Sequence, residues 1–207
     1  MRTFVCILKS GGDYYPEHVQ ILQNQVMRAM PSTERFLCLT DYSSIKGVEI
    51  LPLKHGLRGK YSMMEAFRIT GQVVVTGIDT VLVGNLDCIW DVVADMSPDD
   101  FYLMRSFNKM RTYGNNPMAW NGDWSKLIYD FSIEDCYKYK LEQEYTNKKL
   151  KSIGANIKVL DEHFTIRSFK HYYMTGDAKL SDAEFLIFHG FPRPHQVTLP
   201  WVQELYQ

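Results

Sequence analysis

The chain has 207 residues, enough for one domain with a sizeable core and too few for two domains of ordinary size. Its 45% apolar and 14% aromatic content excludes a disordered protein, and its net charge of −1 excludes the global basic field that drives non-specific nucleic-acid binding. No run approaches the ~18 apolar residues that a membrane span requires. The apolar start turns polar at Lys9, too early for a signal peptide, and the four cysteines are widely spaced. We therefore expect a cytoplasmic globular protein with reduced cysteines.

The first 76 residues alternate between strand and helix patterns. Short runs rich in β-forming residues predict strands at residues 3–8, 35–40, 48–53 and 72–76. Apolar residues at helical spacing after Pro16 predict a helix at residues 16–30, and a second helix is predicted at residues 60–69. Strands that alternate with helices predict a mostly parallel sheet covered on both faces. In such sheets, ligands bind at the carboxyl ends of the strands.

The second half of the chain is less regular. Apolar runs predict strands at residues 101–106, 115–122, 157–160 and 185–188. A capping-box pattern from Ser132 predicts a charged helix to about residue 153, and Asp161 opens a short predicted helix through residue 169. No internal repeat or linker-like composition interrupts the chain. We therefore expect a single α/β domain over residues 1–207, a central sheet flanked by helices.

Asp79 follows the most apolar of the predicted strands. Three consecutive valines precede it, and Thr80-Val81-Leu82-Val83 follows it. An ionised carboxylate in apolar surroundings is costly unless it is paired, hydrogen-bonded or bound to a metal. Asp79 is therefore a candidate metal ligand and catalytic residue. A turn aspartate that bonds its own backbone is the alternative.

The last predicted strand ends in a histidine and a stiff basic loop. Residues 189–195 read His-Gly-Phe-Pro-Arg-Pro-His, and two prolines fix the backbone around Arg193. A guanidinium suits diphosphate oxygens because it donates two hydrogen bonds in one plane. If Asp79 and His189 share a divalent cation and Arg193 faces the phosphates, the chain has a nucleotide-sugar site. A structural histidine and a solvated surface arginine are the alternatives.

Two weaker patterns point to the same anionic ligand. Ser10 and Gly11 follow the first strand, where a glycine lets the backbone approach a ligand closely. Arg58 and Lys60 lie at a predicted helix start, where the helix dipole disfavours cations. An ordinary turn and a solvated helix end explain these patterns equally well. The sequence has no Walker loop, Gly-x-Ser-x-Gly or dinucleotide fingerprint.

Together these segments resemble compact bacterial and phage glycosyltransferases with the GT-A fold, similar to glycosyltransferase family 8. The resemblance covers most of the chain and rests on residues 10–19, 60–68, 78–87, 116–121, 161–166 and 189–195. Residues 78–87 are similar to the family's Asp-x-Asp strand end, and residues 189–195 to its His-Gly-x-Pro-Arg-Pro-Trp motif. Gly77 stands where the family has its first acid, and Glu162 and His163 replace the usual glutamine and variable residue.

The resemblance implies a metal site and a donor site. Asp79 and His189 would ligate Mn²⁺ or Mg²⁺, with diphosphate oxygens and water completing the shell. Asp79 and Asp161 would be the catalytic residues, Asp161 by orienting the sugar or the acceptor. The donor would be held by Ser10, Gly11, Lys60, Asn116, Gly190 and Arg193.

The predicted activity is transfer of a hexose from a nucleotide-diphosphate sugar, a UDP-sugar, to a hydroxyl acceptor, with retained anomeric configuration. A non-catalytic nucleotide-sugar-binding module is one alternative because the first acid is missing. A sugar nucleotidyltransferase is the other, although residues 9–12 make a poor phosphate loop. The acceptor stays open among glycans, lipid-linked sugars, proteins and modified nucleic-acid bases. For a nucleic acid, the candidate contacts are Lys109, Arg111, Lys170, Tyr172, Tyr173 and Trp201.

Overall fold

The computed structural model describes residues 1–108, 112–174 and 182–206. Lys109 and Arg111 lie outside these ranges, and the side chains of Tyr172 and Tyr173 are also outside the description. Within the described ranges, no helix is both long enough and apolar enough to cross a membrane.

Strands and helices alternate along most of the chain. The strands are β1 Arg2–Leu8, β2 Arg35–Thr40, β3 Glu49–Pro52, β4 Gly71–Val75, β5 Thr80–Leu82, β6 Asp100–Arg105, β7 Tyr113–Gly122, β8 Asn156–Val159, β9 Ile166–Ser168 and β10 Phe185–Ile187. The α-helices are α1 Pro16–Ala29, α2 Ile89–Ala94, α3 Lys126–Tyr129, α4 Asp135–Lys138, α5 Glu142–Ser152, α6 Phe169–Met174 and α7 Pro200–Leu205. Short 3₁₀ helices cover Gly59–Arg68, Leu160–Glu162 and Pro194–Gln196.

Seven strands form the central sheet in the order β3-β2-β1-β4-β7-β6-β8. Strand β7 is antiparallel to both neighbours, β4 and β6, and the other pairs are parallel. Val75, the last residue of β4, lies between Val5 and Met118 in the register. The α/β class and the mostly parallel sheet are therefore confirmed.

A second, three-stranded sheet has the order β5-β10-β9. Strand β10 is antiparallel to β5 and parallel to β9, so Leu186 lies opposite both Val81 and Arg167. Just beyond the paired residues, the Phe188 N–H donates to the Asp79 carbonyl over 2.8 Å. This sheet brings the loop after β4 next to the segment after β10.

The apolar side chains form two buried clusters. The larger surrounds the central sheet and includes the fully buried Phe4, Trp90 and Trp120. The smaller packs around the three-stranded sheet and helix α7, with Leu186 and Val202 completely buried. The second sheet therefore lies between the two clusters, since Phe185 and Ile187 belong to the larger one and Leu186 to the smaller.

The sequence-based prediction of strands agrees with the structure to within two residues at each end, but two helix predictions were wrong. Residues 161–169 do not form one helix, because Ile166–Ser168 pairs with β10 as strand β9. The charged helix to residue 153 is divided into α4 and α5. Between them, the carbonyls of Tyr139 and Lys140 accept hydrogen bonds from the Tyr61 hydroxyl and the Lys60 Nζ. The segment predicted as a helix at residues 60–69 is the 3₁₀ helix Gly59–Arg68.

Candidate functional site

A cavity of about 760 Å³ lies between the two sheets. It is lined by Met63, Asp79, Met104, Ser106, Phe107, Asn108, Gly114, Asn115, Asn116, Leu141, Glu142, Gln143, His171, Ile187 and His189. Three of the predicted site residues, Asp79, Asn116 and His189, therefore share one cavity. They reach it from the loop after β4, from β7 and from the segment after β10.

Asp79 is held by an amide from the neighbouring strand. The Asn116 Nδ2 donates to the Asp79 Oδ1 over 2.9 Å. The Asn116 Oδ1 in turn accepts from the Gly77 N–H at 2.9 Å and from the Thr80 hydroxyl at 3.1 Å. Asn116 therefore fixes both ends of the short loop between β4 and β5, and with it the orientation of the Asp79 carboxylate.

The space beside Gly77 is filled by this pair. A Cβ atom at position 77 would come within 2.3 Å of the Asp79 Oδ1 and 2.8 Å of the Asn116 Nδ2. Both distances are shorter than van der Waals contact allows, so any side chain at position 77 requires Asp79 and Asn116 to move. The absence of a side chain at position 77 thus leaves the space in which Asp79 and Asn116 form their hydrogen bond.

The electrostatic surroundings of Asp79 favour its neutral form. Burial raises the pKa of the Asp79 carboxyl to about 6, although the charge of Arg193 and the hydrogen bond from Asn116 act in the opposite direction. At neutral pH the carboxylate is therefore mostly ionised, but at a cost in free energy. This matches the expectation of a strained acid between two apolar strands.

His189 is packed against aromatic rings and bonded to a serine. Its ring stacks on Phe107 at 5.3 Å and meets His171 edge-on at 5.4 Å. Its Nε2 lies 2.5 Å from the Ser168 hydroxyl oxygen. Burial lowers the pKa of His189, and the charges of His171 and Lys170 lower it further. His189 is thus a neutral imidazole at neutral pH, oriented by Ser168.

Arg193 does not line the cavity but its charge reaches Asp79. Its Nε and Nη2 donate to the Asp13 Oδ2 over 3.1 and 2.9 Å. The guanidinium also lies 5.0 Å from the Phe191 ring centre and 5.4 Å from that of Tyr14. The arginine is therefore held in place rather than solvated. Gly190, with φ of 87°, allows the sharp turn that leads to it.

The remaining predicted donor-binding residues lie away from the cavity lining. The Ser10 N–H and hydroxyl both donate to the Asp41 carboxylate, over 2.8 and 2.6 Å, and Gly11 is exposed beside them. The Lys60 Nζ donates to the Lys140 carbonyl over 2.8 Å. For these three residues, binding of a nucleotide stays a prediction.

Asp161 lines a separate depression of about 260 Å³ together with the residues that follow it. Its Oδ2 accepts a hydrogen bond from the Arg105 N–H over 2.7 Å, and burial raises its pKa. The structure does not bring Asp161 into the cavity that contains Asp79. Its assignment as a catalytic residue stays a prediction.

Several cavity residues were missed in the sequence. Asn115 is buried, with its Nδ2 bonded to the Thr146 hydroxyl at 3.1 Å and its Oδ1 without a partner among the described residues. The pair Asn115-Asn116 was visible within a predicted strand, but only Asn116 was assigned to the site. Glu142, Gln143 and Phe107 carried no such signal, because only the fold of distant segments brings them to the cavity.

The described side chains do not by themselves form a cage for a divalent cation. Within residues 1–108, 112–174 and 182–206, no three His, Cys, Asp or Glu residues form a group that would hold a metal. Of the two predicted ligands, Asp79 gives one oxygen to Asn116 and His189 gives one nitrogen to Ser168. A cation bound through the Asp79 Oδ1 or through the His189 Nε2 would have to compete with the hydrogen bond at that atom.

Comparison with known proteins identifies the fold. No family model matches the sequence, and no curated protein sequence does. Among solved structures, the galactosyltransferase LgtC in complex with donor and acceptor sugar analogues is 14% identical, with a TM-score of 0.67 over 99% of this chain and 95% of that chain. The glycosyltransferase GlyE of Streptococcus pneumoniae TIGR4 is also 14% identical, with a TM-score of 0.67 over 99% of this chain but only 59% of that chain.

A glycosyltransferase involved in glycosylation of the major capsid of PBCV-1 is 13% identical, with a TM-score of 0.59 over 95% of this chain and 97% of that chain. The chain has the GT-A glycosyltransferase fold. The predicted fold is therefore confirmed. At these identities, the likeness concerns the fold and does not by itself assign a donor, a metal or a mechanism.

Proposed function

We propose that this GT-A protein transfers a hexose from a nucleotide-diphosphate sugar, a UDP-sugar, to a hydroxyl acceptor. The observation that carries the proposal is the meeting of Asp79, Asn116 and His189 in one cavity at the carboxyl end of β4. Ligand sites of α/β sheets lie at strand ends of this kind. LgtC, which has the same fold, was solved in complex with donor and acceptor sugar analogues, and the proposed reaction likewise needs a donor and an acceptor.

Amide side chains in the cavity suit a sugar. Asn115 and Asn116 offer donors and acceptors for vicinal hydroxyls, and the Asn115 Oδ1 has no partner among the described residues. In the reaction, the C1–O bond to the diphosphate breaks and a bond forms from C1 to the acceptor oxygen. The hydroxyl proton passes to the nucleoside diphosphate that leaves. Asp79 would orient the donor by accepting a hydrogen bond from a sugar hydroxyl.

Two finer parts of the prediction remain proposals. Retention of the anomeric configuration rests on the resemblance to family 8, and no nucleophile is assigned. Participation of Mn²⁺ or Mg²⁺ also rests on that resemblance. Because the described side chains do not by themselves form a cage for a cation, no step above uses one.

The test is turnover of a panel of nucleotide sugars with acceptors from four classes: glycans, lipid-linked sugars, peptides and modified DNA. Asp79→Asn should abolish turnover and leave the fold intact. Asp99→Asn makes the same chemical change in an exposed turn and should have no effect. Near-normal activity of Asp79→Asn would remove Asp79 from the site.

A non-catalytic nucleotide-sugar-binding module is the second candidate. The observation in its favour is Gly77, since the space for a first acid is filled by the Asp79–Asn116 pair. Such a module would bind UDP-sugar but release no free UDP with any acceptor class. The same panel therefore separates the two candidates.

A further inference from the structure

The first acid of the resembled Asp-x-Asp motif is absent here, and the structure shows what occupies its space. The Asp79 Oδ1 and the Asn116 Nδ2 lie 2.3 and 2.8 Å from the place of a Cβ at position 77. The loss of that acid therefore allows a carboxylate–amide hydrogen bond of 2.9 Å to form. In this arrangement, Asn116 satisfies the Asp79 oxygen that faces position 77.

His189, the second candidate metal ligand, is also engaged in a hydrogen bond. The His189 Nε2 lies 2.5 Å from the Ser168 hydroxyl, and that hydroxyl also accepts the His171 N–H at 3.1 Å. Ser168 is fully buried, so it has no room to turn away without disturbing helix α6. Binding a cation through this nitrogen would cost the hydrogen bond to Ser168.

Fixed positive charge is already present beside Asp79. Arg193 belongs to the segment after β10, whose Phe188 N–H donates to the Asp79 carbonyl, and Asp13 holds the guanidinium by two hydrogen bonds. The side chain of Arg193 is only 20% exposed, so its charge is weakly screened by water. A protein cation thus stands near the carboxylate that a metal would otherwise neutralise.

We propose that this cavity binds the diphosphate of its donor without a divalent cation, and that Gly77 and Asn116 are the positioning residues that make it so. The inference rests on the proposed function, because it concerns the donor of that reaction. The Asp79–Asn116 pair, with Arg193 nearby, takes the place of a carboxylate–metal site.

The deciding experiment is calorimetric titration of UDP into the wild-type protein, once with Mn²⁺ and once with excess chelator. Dissociation constants that agree within about 3-fold are expected, a difference of under 1 kcal/mol. Binding that is more than about 10-fold tighter with Mn²⁺ overturns the inference and leaves the proposed function standing. Absence of UDP binding in both conditions instead removes the proposed function, and the inference with it.

Variants test the positioning roles directly. The double variant Gly77→Asp with Asn116→Ala restores the first acid and makes room for it, and UDP binding should become at least about 10-fold dependent on Mn²⁺. Unchanged, metal-independent binding in a folded double variant contradicts the role of the pair. Gly77→Ala alone should weaken UDP binding without creating a metal dependence.

Asp99→Asn is the control, since it changes an exposed turn that does not line the cavity. Its UDP affinity should equal that of the wild type in both conditions, and a comparable loss there would sink the steric argument for Gly77. If the double variant does not fold, the wild-type titration still decides the question.

Discussion

The carboxylate of Asp79 illustrates how a site residue can oppose stability. Burial between the two sheets raises its pKa from 3.8 to about 6, so the folded protein holds the Asp79 proton more tightly than the unfolded chain does. The stabilising contribution is fully present below the unfolded pKa and is lost as the pH rises through the folded one. Above pH 6 the ionised Asp79 therefore costs free energy.

Asp79→Asn should accordingly stabilise the protein at alkaline pH. A pKa change of this size corresponds to roughly 3 kcal/mol, which solvent screening of the partly exposed carboxylate reduces to about 2 kcal/mol. The gain should be absent near pH 3.5, grow between pH 4 and 6 and then stay constant, because these are the unfolded and folded pKa values. Urea unfolding at several pH values measures it.

Asp99→Asn in an exposed turn serves as the comparison for this stability series. If Asp79→Asn were less stable than the wild type at pH 8, the hydrogen bond from Asn116 would outweigh the burial of the charge.

The sequence predicted that Asp79 and His189 lie together, and both line the cavity, although β4 and β10 belong to different sheets. It was not sufficient for the rest of the cavity. Phe107 and Glu142 come from irregular segments, and their positions depend on pairings between distant strands. Ser168, which orients His189, was hidden because its segment carried a helical pattern.

At the scale of elements, the buried carboxylate of Glu65 ties the 3₁₀ helix Gly59–Arg68 to the segment that precedes it. The Glu65 side chain is fully buried; it accepts hydrogen bonds from the backbone N–H groups of Lys54 and His55 and pairs with Arg68 at 2.7 Å. Burial raises the pKa of Glu65, but the hydrogen bonds from His55 and Arg68 outweigh it and lower the pKa overall. Met63 of this helix lines the cavity, so Glu65 supports the site from behind.

Glu65→Ala should cost about 3 kcal/mol of unfolding free energy, because it leaves Arg68 and two backbone donors without a buried partner. Glu65→Gln keeps the shape and should lose less. Since the pKa of Glu65 is lowered, its stabilising charge is present above the unfolded pKa and lost as the pH falls. The difference between wild type and Glu65→Gln should therefore shrink on acidification, as urea unfolding at pH 7 and pH 4 would show. A difference that grows with acid would contradict this sign.

Strand β9 and helix α6 are joined by Ser168, whose hydroxyl accepts the His171 N–H in the manner of a helix N-cap. Ser168→Ala should lower the unfolding free energy by about 1 kcal/mol, the usual cost of losing a cap. Ser168→Thr keeps the hydroxyl and is the matched comparison. Equal stability of Ser168→Ala and the wild type in urea would show that the capping hydrogen bond contributes nothing.

The same segment shows why one helix prediction failed. Residues 161–169 carry an acidic start and a helical apolar spacing, yet Ile166 and Ser168 are both buried and pair with β10. A strand of three residues has too little sequence to produce its own pattern, so tertiary pairing decided its structure. Longer runs such as β1 and β2 were predicted well, since their apolar character alone requires burial.

At the scale of the whole molecule, the cavity is lined by residues from two sheets with unequal cores. Asn116 belongs to the seven-stranded sheet, whereas Ile187 belongs to the three-stranded sheet and His189 follows it. The three-stranded sheet packs with Phe185 and Ile187 on the larger buried cluster and with Leu186 on the smaller one. A ligand that fills the cavity therefore contacts both parts at once and couples them.

Native-state hydrogen exchange should reveal this coupling. In the absence of ligand, the amides of β10 should open with a lower free energy than those of β1 and β4, because β10 pairs with each neighbour over only three residues. A saturating nucleotide ligand, at 100 times its dissociation constant, should stabilise the bound state by about 2.7 kcal/mol. Since opening of β10 displaces Ile187 and His189 from the cavity, the amides of β10 should gain most of that protection. Strand β8 lies at the far edge of the large sheet. Its amides should gain protection only where their exchange requires global unfolding. If nucleotide slowed exchange in β1 and β4 and left β10 unchanged, the ligand would not bridge the two sheets and the site would have to lie elsewhere.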